Sequence, residues 1–235
     1  TVLVAIGGGG LISGIGTVLK AAEHDVRVIG VQPAGAAHAK PSLEAGEIRE
    51  LQSVDTVAEG IADTRMLETT FEIAREVVDD VVSVSDREIA AAVTLLAERA
   101  KTVAESAGAA PLAAALSDEL ALEGAHVGVV ISGGNVNLTE HAELTRTGLC
   151  ELERYTEARL ALEGWPTTVG DVVEVVEAEG AELDSLERAR RTGDDHPNRT
   201  PVTIGLEGSG PEHLNGVLEA LAELEGVSVV ERSLE

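Results

Sequence analysis

The sequence predicts an α/β protein, a parallel sheet wound with helices over residues 1–148, followed by a smaller βαββαβ domain over 155–235. Three observations predict it. Short apolar runs alternate with helically spaced stretches through the first part, the pattern of strands buried on both faces. The first of these runs, Thr1–Ile6, ends in four glycines and leads into a helix-like stretch. After Leu149 the texture changes, and the strand and helix patterns follow a new order, with the join near 145–155.

In order, Thr1–Ile6 reads as a buried strand, Gly7–Gly10 as a turn, residues 11–22 as a helix and Val26–Val31 as a second strand stopped by Pro33. That is a βαβ unit. Residues 34–60 read as loops with one short helix, and Leu67, Phe71 and Ala74 recur at helical spacing. Val81–Val84 is a strand. Ser85, with Glu88 three residues later, makes a capping box for a helix over 86–100. A helix is predicted over Ala109–Leu120 and a strand over Val127–Ile131, ending at Ser132-Gly133-Gly134. Beyond the join, Arg159–Leu162, Glu182–Arg188, Pro201–Glu207 and Val227–Val230 read as strands. Helices at Val169–Glu179 and Pro211–Glu223 lie among them, and a polar break covers residues 192–198. The order is that of a ferredoxin-like domain.

Composition narrows the function. The net charge of −25, from 42 acidic and 17 basic residues, argues against nucleic acid, which is gripped by clustered Lys and Arg. The acids are interleaved with apolar spacing, so they read as a solvated surface. With three lysines beside 14 arginines, the balance resembles that of proteins from salt-loving archaea. Cys150 is the sole cysteine, which excludes an intrachain disulfide and a cysteine-based metal site. No apolar run reaches the ~20 residues of a membrane helix, no secretory leader is visible, and the cytoplasm is the default expectation.

The glycine run carries the first chemical signal. Glycines between a buried strand and a helix start let the backbone approach an anion, and the helix offers free N–H groups and a favourable dipole. No Gly-Lys-Ser/Thr follows, so this is not a Walker A loop. The dinucleotide spacing fails too: Ser13 stands where its third glycine belongs, and Gln32 ends the second strand where that fingerprint places an acid.

Six ordered segments then carry a resemblance: VAIGGGGLISGI (4–15), VIGVQP (28–33), TVAEGIA (56–62), VVDDVVSVSDREI (77–89), VAESAGAAPLAA (103–114) and VVISGGNVNL (129–138). Together they resemble the threonine dehydratase (threonine ammonia-lyase) and serine racemase group of fold-type II pyridoxal-phosphate enzymes, over about residues 1–140. The resemblance implies the tryptophan synthase β-like sheet, N-terminally incomplete, with pyridoxal 5′-phosphate as cofactor. It implies that Gly7, Gly8, Gly9, Gly10 and the N–H of Leu11 hold the phosphate and that Ser132 meets the ring nitrogen. It implies further that Gly60, in the segment that runs under the ring, and Gly133 bind the cofactor and that Glu105 lies near its phenolic oxygen; Glu59 stands where the group carries Asp.

The group's Schiff-base lysine belongs to a Ser-x-Lys-x-Arg-Gly segment upstream of the glycine loop. Lys20, Lys40 and Lys101 lie in other contexts, so the chain reads as a fragment with no catalytic residue of its own, and by itself inactive. No metal site is expected. Relatives that bind Mg²⁺ or Ca²⁺ place carboxylates where Gln32 and His38 stand, and His24, His126, His141, His196 and His213 read as surface residues. The parent activity implied is deamination of threonine or serine to a 2-oxo acid and ammonia by β-elimination, in amino-acid metabolism and isoleucine biosynthesis. The alternatives are a serine racemase or serine dehydratase, or a non-catalytic amino-acid-binding or assembly module. The tail resembles an ACT-like regulatory domain, which implies an amino-acid effector and a homo-oligomer. The acid-x-Pro-Gly turn common in such domains is replaced by Glu163-Gly164-Trp165-Pro166-Thr167.

Overall fold

The computed structural model describes residues 1–22, 25–193 and 195–233. His24 and Asp194 of the sequence reading lie outside them. The chain divides into two compact units, Thr1–Gly148 and Leu149–Glu235.

The first unit runs β1 (Val2–Ala5), α1 (Gly10–Ala21), β2 (Val28–Pro33), α2 (Ala39–Ala45), α3 (Glu68–Val77), β3 (Asp80–Val84), α4 (Asp86–Leu95), α5 (Ser106–Leu116), β4 (Gly128–Val129) and α6 (Leu138–Glu151). Its strands form one parallel sheet in the order β3-β2-β1-β4. Alternate residues point to opposite faces, and here both faces are covered. Leu3, Ala5, Ile29, Val31, Val82 and Val84 pack with Ile89, Val93, Ala107 and Ala110 of α4 and α5. Val4, Val28 and Val81 pack instead with Ile12, Phe71 and Ala74 of α1 and α3. Burial on both sides is why these strands read as unbroken apolar runs.

The Ser85 capping box is present: Ser85 Oγ accepts from the Glu88 N–H at 3.2 Å, and the Glu88 carboxylate accepts from the Ser85 N–H at 2.7 Å. Three readings shift. β2 begins at Val28 and includes Pro33. α5 starts at Ser106, three residues earlier than its sequence suggests, and ends at Leu116, where Ser117 turns extended. The strand expected over Val127–Ile131 pairs only at Gly128 and Val129, opposite Val2 and Leu3. Among the described residues it is an edge strand with one neighbour, and the chain leaves the ladder to enter the left-handed turn at Gly133. α6 occupies the join, where the sequence predicts no helix. Its one buried residue is Gly148, set against Ala90 and Thr94 of α4, so it carries no apolar stripe to read.

The second unit runs β5 (Tyr155–Leu162), α7 (Thr168–Ala178), β6 (Glu182–Arg188), β7 (Thr200–Glu207), α8 (Pro211–Glu223) and β8 (Val227–Ser233). Its sheet has the order β6-β7-β5-β8, antiparallel throughout. Ala158, Leu160, Leu162, Val202, Ile204 and Leu206 face Val172, Val176, Leu214, Val217 and Leu221 of the two helices. Away from that core, Arg159 bridges to Asp195 at 2.8 Å. The Thr192 N–H and this guanidinium hold the Asp195 carboxyl below the usual carboxylate range.

Candidate functional site

β1 delivers the glycine run to the start of α1. Gly9, the residue before the helix, has φ of 90°, a left-handed conformation that glycine adopts without strain. The loop is also hemmed in from outside. A Cβ on Gly7 would sit 2.6 Å from Asp63 Oδ2, and one on Gly9 would sit 2.7 Å from Met66 Cε. Among the described residues, the amide N–H groups of Gly7 to Ile12 donate to no protein acceptor. Unpaired amides gathered at a helix N-terminus are an anion cradle.

A cavity of about 180 Å³ opens at this cradle. Gly7–Gly10 and Leu11 line one side, Gly60 another, and Glu105 and Ser132 close it. Four sequence-distant segments therefore meet where the sequence reading placed one site. Ser132 is half-buried, and among the described residues its hydroxyl has no protein partner. Its carbonyl oxygen lies 1.3 Å from where a Cβ on Gly108 would be; only a glycine in α5 lets this segment come so close.

Glu105 is the residue before α5 and is half-buried. Its Oε2 accepts from the Asn135 N–H at 3.1 Å, and Oε1 lies 3.1 Å from the Cβ position of Gly60. Gly133 does not line the cavity. It lies against Glu105, whose Oε1 would be 2.2 Å from a Cβ there. A larger hollow of about 790 Å³ adjoins at Gly60 and Glu105 and takes in Glu59, Glu140 and Glu143.

No lysine lines the cavity among the described residues. Lys20 pairs with Asp79 at 2.8 Å, and Lys101 Nζ donates to the Glu98 carbonyl at 2.5 Å. Burial raises the Asp79 carboxyl, but hydrogen bonds from Lys20 and the Val28 N–H outweigh it and hold it below the usual range.

Gln32 and His38 are both fully buried. Gln32 accepts from the Ala39 N–H at 2.9 Å and donates to Ser83 Oγ at 3.2 Å. Neither ring nitrogen of His38 has a partner among the described residues. Two surface readings need correction. His141 is half-buried in α6, with Nδ1 buried and unpartnered. His213 is half-buried, with Nδ1 accepting from the Ser209 N–H at 3.0 Å and Nε2 2.8 Å from the Glu179 carbonyl. His126 and His196 are exposed.

Sequence reasoning missed Asp63, Met66 and Thr70, which back the glycine loop from outside. Nothing local marks them, because their role comes from a loop folding back across a long stretch of chain.

Residues 1–133 match the family described as "Pyridoxal-phosphate dependent enzyme". The chain belongs to that family. Its cofactor is pyridoxal phosphate, and the residues present fit the cofactor's phosphate: unpaired amides, a left-handed glycine and a helix start border one cavity. Within the family the chain is 36% identical to the L-threonine ammonia-lyase of Geobacter sulfurreducens over 226 residues, 96% of this chain and 56% of that relative. It is 38% identical to the serine racemase of Oryza sativa subsp. indica over 143 residues, 59% of this chain and 42% of the relative. The solved maize serine racemase is 37% identical with a TM-score of 0.57, covering 60% of this chain and 46% of that structure. The chain thus spans about half the length of the curated relatives it matches.

Proposed function

We propose that this chain forms the phosphate- and ring-binding side of a pyridoxal-phosphate lyase that deaminates threonine, and serine, to a 2-oxo acid and ammonia by β-elimination. The observation that carries this is the single cavity shared by the Gly7–Leu11 cradle and Ser132. The amides of Gly7–Gly10 and Leu11 hold the phosphate, and the Ser132 hydroxyl hydrogen-bonds the ring nitrogen. When bound, the cofactor supplies an electron-withdrawing ring that acidifies the α-proton of an amino acid. A hydroxyl at the ring nitrogen, unlike a carboxylate, leaves that nitrogen weakly protonated, which suits loss of a β-hydroxyl. Gly60 leaves room beside the ring, and Glu105, held by the Asn135 amide, sets a carboxylate at the cavity wall.

The likeness to the Geobacter ammonia-lyase runs on into the second unit, whereas that to the rice serine racemase covers 59% of the chain. The strand order β6-β7-β5-β8 with both helices on one face supports reading the second unit as a ferredoxin-like, ACT-like domain, suited to an amino-acid effector or to homo-oligomer assembly. A non-catalytic amino-acid-binding or assembly module is the second reading.

Assay of the full-length protein for 2-oxo acid release from threonine tests the first reading. Turnover is expected, falling about tenfold or more in Ser132→Ala, the worth of one well-placed hydrogen bond. A full-length protein that binds pyridoxal phosphate yet deaminates neither threonine nor serine contradicts it.

A further inference from the structure

We infer that Thr70 is a positioning residue for the phosphate cradle, an inference that rests on the cofactor reading above. The Gly8 carbonyl accepts from two groups at the start of α3, the Thr70 hydroxyl and, at 3.4 Å, the Leu67 N–H. Thr70 Oγ1 also lies 3.0 Å from the Leu67 carbonyl. A hydroxyl has one proton to give, and the Gly8 carbonyl is the nearer of the two acceptors. The proton goes to Gly8.

The consequence follows from peptide planarity. In a trans peptide the carbonyl of one residue and the N–H of the next point in opposite directions. Drawing the Gly8 carbonyl towards α3 turns the Gly9 N–H to the other side of the loop. The cavity opens there: its walls include Gly8, Gly9 and Gly10 but no residue of α3. Thr70 also packs on Gly9 itself, with Cβ and Oγ1 each 3.0 Å from the Cβ position. A closed circuit fixes the arrangement. The Ser13 N–H donates to the Gly9 carbonyl at 3.1 Å, Ser13 Oγ donates to the Thr70 carbonyl at 3.1 Å, and Thr70 Oγ1 returns to Gly8. One side chain thereby aims a cradle amide without touching the ligand.

The test is an amide-resolved NMR titration of the full-length protein with inorganic phosphate and with pyridoxal 5′-phosphate. Both probes are expected to shift the Gly8–Leu11 amides of the wild type. In Thr70→Val, read beside Thr70→Ala so that misfolding of one variant leaves the other, the apparent Kd weakens about tenfold, the worth of one hydrogen bond to a charged ligand's cradle. The largest loss of shift falls at Gly9, and Thr70→Ser restores it. A purely structural role would lower the melting temperature without selecting Gly9 and without rescue by serine. Folded Val or Ala variants that titrate like the wild type overturn the role of Thr70 and leave the cofactor reading standing. A wild type in which both probes miss Gly8–Leu11 overturns both.

Discussion

His38 is fully buried with neither ring nitrogen partnered among the described residues, so its charged form is disfavoured in the fold. Desolvation holds its pKa below the ordinary value, and the negative charge of Asp63 only partly offsets this. The unfolded chain therefore takes up a proton before the folded one does. Stability from neutral His38 is complete above the unfolded value of about 6.5 and is lost as pH falls from there towards the depressed folded pKa. Urea melts are expected to weaken on going from about pH 8 to about pH 5, and His38→Leu should lose that part of the slope. An unchanged slope in the variant contradicts the assignment. Asp79 and Asp195, both held low, lose their stabilising charge only in more acidic solution and act in the same direction. At this scale the sequence is informative where chemistry is local. The glycine run announces itself by type and setting, Ser132 is reached only through the family resemblance, and Thr70 and His38 stand among neighbours far along the chain.

Elements are legible where capping and period agree, as at Ser85, and obscure where small residues replace an apolar stripe. α5 is the instructive case. Ser106-Ala107-Gly108 precedes the helix predicted from Ala109, yet Gly108 is the helical residue on which the Ser132 carbonyl rests. Gly108→Ala should destabilise the fold by about 1–3 kcal/mol through overpacking against backbone, and should also weaken cofactor binding by displacing Ser132. Gly14 is the control: it lies within α1, and a Cβ there meets nothing within 4 Å. Gly14→Ala should stabilise by about 0.5–1 kcal/mol, the helical penalty of glycine. Urea denaturation of both variants checks the pair; equal effects would contradict the packing at Ser132. Ser85→Ala, which removes one half of the capping box, should cost about 1 kcal/mol.

At the scale of the whole chain, the α/β alternation and the division into two units are readable because hydrophobic period and glycine placement change at the join. The sheet order is not readable from local pattern alone, since it depends on which strands meet across long crossovers. Charge acts on the molecule as a whole. At −25 in 235 residues, mutual repulsion opposes compaction and is screened by salt. The melting temperature should rise steadily from dilute buffer to molar KCl; a flat response would contradict a surface dominated by repulsion. The central claim is geometric, and a crystal structure of the full-length protein grown with pyridoxal 5′-phosphate tests it most directly. Phosphate oxygens are expected within about 3 Å of the Gly8–Leu11 amides, with the pyridine nitrogen facing Ser132 Oγ. Phosphate bound elsewhere, or a ring turned away from Ser132, would contradict it.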